Sequence, residues 1–237
     1  QPADVLSINK LAKKYNIKVV EDSAQAHGAS INSVKIGGHG NIDCFSFYPT
    51  KNLGAYGEGG AITTNNKFIY NKLLLLRNHA QKKKYLHEFL SYNCRFDEIQ
   101  ACILNIKLKK LDKVTINRNR IASIYFKELR NVHQIQLPHI KDGNLSSFHL
   151  FVIHTKNRNK LRSFLLKNKI ETGLHYPIPI HLQPAYKNLN YKTGDLINCE
   201  YNSNNCLSLP IYSGLKYLET KYICNKIKFF YKCNLGR

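Results

Sequence analysis

Two residues early in the chain have the type and placement to carry out carbonyl chemistry. Lys51 stands within residues 41–64, NIDCFSFYPTKNLGAYGEGGAITT, between two runs that read as strands. Asp43 to Tyr48 is apolar and aromatic, Pro49 and the Asn52-Leu53-Gly54 corner break it, and Gly59 to Thr64 starts a second strand. An amine walled by aromatics and glycine-rich backbone loses water. Desolvation disfavours its ammonium form and lowers its pKa, which prepares it to attack a carbonyl and form a Schiff base. The same lysine in a glycine-rich turn also reads as an ordinary solvated side chain.

Upstream, Ile17-Lys18-Val19-Val20 is a short apolar strand that ends in Glu21-Asp22-Ser23-Ala24-Gln25-Ala26-His27-Gly28. Carboxylates at the C-terminal end of a strand lie where open α/β sheets bind ligands. A cofactor that withdraws electrons through a pyridinium ring needs a carboxylate to keep the ring nitrogen protonated and a lysine to hold its aldehyde. Asp22 and Lys51, each closing a strand, supply that pair. Asp22 alone reads equally well as a helix cap.

Elements must position these residues. Ala3 to Tyr15 predicts a surface helix feeding the Ile17 strand, one βαβ element. Ile31 to Gly38 reads as a hairpin or excursion, Phe68 to Leu76 as a helix covering the sheet, and Asn78 to Leu90 as a basic loop near the site. From Phe96 to Leu129 the apolar spacing, with no internal Pro or Gly, predicts one long helix. Beyond it come strands at Gln134–Leu137, Phe148–Thr155, Ile170–His175 and Leu207–Ile211, with helices over Arg158–Lys167 and Leu218–Tyr231. The fold class is therefore α/β, with a large domain over 1–130 that ends in the connecting helix and a small α+β domain over 131–237.

Composition sets outer limits. With 237 residues and 43% hydrophobic content the chain buries a sizeable core. Seven cysteines without a CxxC pair argue for reduced thiols in the cytoplasm, not a disulfide framework or zinc site. His27 and His39 are not spaced as metal ligands, and no metal site is expected. No run spans a bilayer and no signal peptide is visible. The net charge of +21 raises the question of nucleic acid. Its lysines are scattered, as Lys13-Lys14, Lys82-Lys83-Lys84 and Lys226/Lys228, without interleaved aromatics, so no nucleic-acid partner is expected.

Several ordered blocks carry a family resemblance. EDSAQAHGA at Glu21–Ala29, CFSFYPTKNLGAYGEGGAITT at Cys44–Thr64, YNCRFDEIQACILNIKLKKLD at Tyr92–Asp112, GLHYPIPIHLQPAY at Gly173–Tyr186 and LSLPIY at Leu207–Tyr212 resemble the DegT/DnrJ/StrS sugar aminotransferases. The HYPIPIH wording is most similar to members that aminate a 3-keto deoxysugar linked to dTDP. The resemblance implies the C-terminal part of a fold-type I transferase using pyridoxal 5'-phosphate, with a nucleotide-sugar and an amino-acid donor, glutamate, as substrates. It implies Lys51 as the residue that binds the cofactor aldehyde and moves the proton, Asp22 as partner of the ring nitrogen and Gln25 as neighbour of the ring's 3-oxygen. Ser46 becomes a phosphate ligand, and Asn93 a residue that reaches the phosphate of a neighbouring subunit in a homodimer with shared sites.

Other residues keep two readings. Ser46 also reads as a buried strand hydroxyl. Arg95 could bind a substrate carboxylate or phosphate, or pair with Asp97 or Glu98. His175 and His181 line a sugar pocket or are satisfied within the small domain. The sequence departs from the family at Thr50, Asn41, Ser91 and His79-Ala80. It has no Met and opens at Gln1-Pro2, so the resemblance implies a fragment lacking the phosphate-cupping turn and the stacking aromatic. The expectation is an aminotransferase fragment. The alternative is an inactive homologue that acts as a binding or dimerisation module.

Overall fold

The computed structural model describes residues 1–40 and 42–234. These form two compact units, residues 1–116 with 140–149, and residues 117–139 with 150–237.

In the first unit, α1 (Val5–Lys14) leads into β1 (Val20–Asp22), followed by the hairpin strands β2 (Ser30–Ile31) and β3 (Val34–Lys35). Then come β4 (Ile42–Ser46), β5 (Gly60–Thr64), α2 (Lys67–Leu76), the strands β6 (Gln81–Lys83) and β7 (Leu86–His87), α3 (Glu98–Leu108) and the first turns of α4 (Leu111–Leu129). The main sheet has the order β1-β4-β5, with β1 parallel and β5 antiparallel to β4. Val5 anchors α1 to Ala29, Ile31 and Ile36 beneath the sheet. The other side of α1 is open: Leu11 is 59% exposed, and Val20 on the edge strand β1 62%. Asn66 caps α2 by accepting the Ile69 amide at 3.1 Å, the hydrogen bond a helix start requires. Segment 140–149 returns to this unit through β8 (Asn144–Leu145), which pairs with β2.

The predicted single helix over 96–129 is two helices. The apolar pattern runs through the junction, and no Pro or Gly forces it. Lysines crowd the break: the Lys110 amide bonds back to the Lys107 carbonyl at 2.9 Å in a tight turn, and like charges three apart oppose a regular helix there. The Lys107 ammonium turns to the Gly54 carbonyl. Residues 78–90, expected as a loop, hold the β6–β7 hairpin.

In the second unit, β9 (Phe151–His154) is followed by α5 (Arg158–Lys167), α6 (Ile197–Asn205), β10 (Cys206–Leu209) and α7 (Tyr217–Asn234), with 3-10 turns at Ile180–Leu182 and Pro184–Leu189. β9 and β10 pair antiparallel, and Tyr125, Phe151, Ile153, Leu161, Leu207 and Ile227 bury their side chains around them. The predicted strand 148–155 shortens because Phe148 takes a φ of 40°, outside the β region. Gln134–Leu137 and Ile170–His175 shrink to single bridges, Gln136 to His154 and Gly173 to Ser208. Helix α6 went unpredicted because its run of Asn and Ser gives little apolar period.

From α4, Arg118 donates to the Ile211 carbonyl at 3.0 Å and the Tyr125 hydroxyl to that of Pro210 at 2.7 Å, fixing the strand that carries LSLPIY. Glu128 receives Lys221 at 2.6 Å and Lys228 at 2.5 Å, which hold its carboxyl at a pKa of about 2. Tyr125→Phe should cost about 1 to 3 kcal/mol, because its ring stays packed at 4.8 Å from Phe151 while a carbonyl loses its donor. Denaturant unfolding checks this, with an unchanged midpoint counting against the bond.

Candidate active site

The site grows from one strand pair. β1 and β4 run parallel with Val20 opposite Ile42, Glu21 opposite Asp43 and Asp22 opposite Cys44, and the Ser23 amide extends the ladder to the Cys44 carbonyl at 2.9 Å. Asp22 and Ser46 therefore emerge at the same end of adjacent strands. Side-chain alternation puts Asp22, Cys44 and Ser46 on one face, and Asp43 and Phe45 on the other. Burial first, then the neighbouring charges of Asp22 and Asp43, raise the pKa of the Cys44 thiol.

After β4 the chain makes a loop pinned at both ends. The Phe47 amide bonds to the Gly59 carbonyl at 2.7 Å and the Ala55 amide to the Phe47 carbonyl at 2.8 Å. The turn at its tip closes through the Lys51 amide and the Tyr48 carbonyl at 2.9 Å. Gly54 is required: a Cβ there would overlap the carbonyl oxygens of Pro49 and Tyr48. Leu53 and Ala55 pack on Leu104, with Phe47, Phe96 and Leu111 around them. Lys51 is half-buried on this turn.

Asp22 accepts the Ala24 amide on Oδ1 at 3.0 Å in a turn, with no helix following for it to cap, and this leaves Oδ2 for a further donor. Ser46 accepts the Tyr48 amide at 3.3 Å, which leaves its hydroxyl hydrogen to donate. Gln25 is exposed, and its carbonyl receives the Ser147 hydroxyl at 2.8 Å. The Ser147 carbonyl in turn accepts Asn52 Nδ2 at 2.8 Å, so a buried serine joins the Gln25 turn to the lysine turn. Sequence reasoning gave no sign of Ser147. Asn93 lies on another segment, bridged to Asn78, with Oδ1 receiving Arg95 Nε at 2.9 Å. Arg95 thus bonds to Asn93 instead of the expected Asp97 or Glu98.

Behind β4, His27 is 3% exposed, its ring 5.3 Å from that of Phe45 and 6.0 Å from that of Phe47, and among the described residues neither ring nitrogen has a partner at hydrogen-bond geometry. Burial first and the Lys51 charge second lower its pKa to about 4, with the Ser46 backbone opposing. In the second unit His181 bonds to Glu200 at 3.2 Å and His175 to the Ser208 hydroxyl at 2.8 Å. Both histidines have local partners. Among the described residues no group of three or more His, Cys, Asp or Glu could hold a metal ion.

The donor set suits a pyridinium cofactor: a carboxylate oxygen at a strand end, a hydroxyl beside it and an amine on the following turn. The structure is similar to S. venezuelae DesV in complex with a ketimine intermediate, with a TM-score of 0.95 at 37% identity, covering 97% of this chain and 62% of that one. The fold is that of the pyridoxal-phosphate transferases of fold type I, present over part of its length. Residues 1–228 match the DegT/DnrJ/EryC1/StrS aminotransferase family, and the chain belongs to it. A dTDP-3-amino-3,6-dideoxy-alpha-D-galactopyranose transaminase of Aneurinibacillus thermoaerophilus is 44% identical over 96% of this chain and 62% of its own length. A "Pleiotropic regulatory protein" of Geobacillus stearothermophilus is 40% identical over 98% of this chain and 63% of its own. The chain thus spans less than two thirds of the length of the relatives it matches.

His27 gives the site a pH signature. Its folded pKa of about 4 lies below the ordinary value near 6.5, so the folded state binds fewer protons. Its contribution to stability is full above pH ~6.5 and is lost as pH falls toward about 4, some ~3 kcal/mol in all. His27→Phe should flatten unfolding free energy across that window. An unchanged slope would show that His27 is not buried in its neutral form.

Proposed function

We propose that this chain is part of an aminotransferase that moves an amino group from an amino acid, glutamate being the donor we favour, to the C-3 keto group of a dTDP-linked deoxysugar, in surface polysaccharide or deoxysugar biosynthesis. The observation that carries the reading is the parallel register that places Asp22 and Ser46 at one strand end, with Lys51 on the turn that follows. The relatives named as transaminases of dTDP-amino sugars support the substrate class. Seven free cysteines, two of them buried, agree with a reducing cytoplasmic setting, and no helix among the described residues is long and apolar enough to cross a membrane.

Pyridoxal phosphate, when bound, supplies a ring that accepts the electron pair left by the amino acid's α-proton. Of the chain's own residues, Asp22 Oδ2 would hold the proton on the ring nitrogen, the Ser46 hydroxyl would donate to the phosphate, and the Gln25 side chain would lie beside the ring's 3-oxygen. Lys51 would hold the cofactor's aldehyde carbon, and its free amine would move the proton from the substrate's α-carbon.

Borohydride reduction of the purified protein with pyridoxal phosphate should leave a mass adduct on the Lys51 peptide, absent in Lys51→Ala. An adduct retained elsewhere in that variant would sink the assignment. Asp22→Ala should slow half-transamination about tenfold for each unit by which the ring nitrogen's pKa falls. Adduct formation without turnover would identify an inactive homologue.

The active form we propose is a homodimer in which Asn93 serves the neighbour's phosphate. Mixed dimers of Asn93→Ala and Lys51→Ala subunits should then regain activity, since one of their two sites keeps both residues. Verified heterodimers that stay inactive would place Asn93 outside the site.

A further inference from the structure

We propose that Ser147 is a positioning residue for this site, holding the Asp22–Gln25 turn and the Lys51–Asn52 turn at a fixed separation through its hydroxyl and its carbonyl. The inference rests on reading Asp22 and Lys51 as the pair that serves the cofactor.

Ser147 is 1% exposed and contacts both turns at once. Its Oγ donates to the Gln25 carbonyl at 2.8 Å, three residues beyond Asp22, within a turn already closed by the Ala26 amide on the Ser23 carbonyl at 3.0 Å. Its carbonyl accepts Asn52 Nδ2 at 2.8 Å, one residue beyond Lys51. A carbonyl accepts only N–H here, which fixes which way the Asn52 amide points. Asn52 Oδ1 is then left buried with no hydrogen-bond partner among the described residues. An orphaned buried acceptor is costly in a folded protein, so the Ser147 bond holds the Asn52 amide in an orientation it would not otherwise keep. Ser147 itself is set by a local device: the Phe148 amide bonds to Ser146 Oγ at 3.1 Å, and Phe148 takes a φ of 40°. The backbone there is shaped to present Ser147 inward.

The test compares Ser147→Ala, Ser147→Thr, Asn52→Ala and, as a stability control in the other unit, Tyr125→Phe. Amide hydrogen exchange on the free protein should rise about fivefold over residues 22–28 in Ser147→Ala, which loses the bond to Gln25, and over residues 48–55 in Asn52→Ala, which loses the bond to the Ser147 carbonyl, the factor that loss of one hydrogen bond carries. An unchanged rate in either variant overturns the bridge. The rate of borohydride-trappable capture of pyridoxal phosphate at Lys51 should fall by a similar factor in Ser147→Ala and return in Ser147→Thr. It should not change in Tyr125→Phe. An unchanged rate in Ser147→Ala, or an equal fall in the control, overturns the positioning role. Wild-type protein that captures no cofactor removes the aminotransferase reading, and the exchange comparison then decides by itself whether Ser147 fixes the two turns.

Discussion

The parallel pairing of β1 with β4 is the constraint on which the site depends. β1 is three residues long, and Asp22 is its last. Because side chains alternate, a slip of one residue would carry Asp22 to the opposite face, away from Ser46. Parallel strands also need a crossover of a dozen or more residues. Here residues 23–40 provide it, and Asp43, fully buried in the middle of the sheet, takes the Ser23 hydroxyl from that crossover at 3.4 Å. A buried carboxylate is expensive without partners, so the hydroxyl that starts the crossover also helps fix the register.

Electrostatics in this chain follows from scarcity. With 36 Lys and Arg against 15 Asp and Glu, an acidic side chain is a rare resource. Several acids tie distant segments: Asp4 to Lys141 at 2.6 Å, Asp112 to Lys35 at 2.7 Å, and Glu128 to two lysines of α7. Exposed pairs of this kind contribute little each, and Glu128 is the best placed, shielded between two cations. The excess of positive charge favours the approach of anions in general.

Much of the site was legible because its chemistry is local. Asp22, Gln25, Ser46 and Lys51 lie in two short blocks whose strand-then-turn character is written in Val, Phe, Pro and Gly, and β4, β5, α1 and α2 fall where the sequence pattern puts them. By contrast, β1 begins at Val20, three residues after the apolar run at Ile17 starts, and takes in Glu21 and Asp22. What sequence could not show is long-range. Ser147 lies 122 residues from Gln25 and 95 from Asn52, in a Ser-Ser-Phe run without period or motif. The break after Leu108 was hidden because the apolar pattern crosses it unchanged. The short hairpin at 81–87 has an ordinary polar composition, and its left-handed residues, His79, Ala80 and Tyr85, are not types that announce a turn.

The return of residues 140–149 to the first unit has a consequence for biosynthesis. During translation the chain emerges from its N-terminus and folds as it becomes available. All three strands of the β1–β4–β5 sheet lie at or before Thr64, so they are made well before Ser147. The turns bearing Asp22 and Lys51 are joined only when Ser147 arrives, and closing a loop of that length costs chain entropy. Between those moments the strands of the sheet are present in the nascent chain before the residue that bonds the two turns to each other.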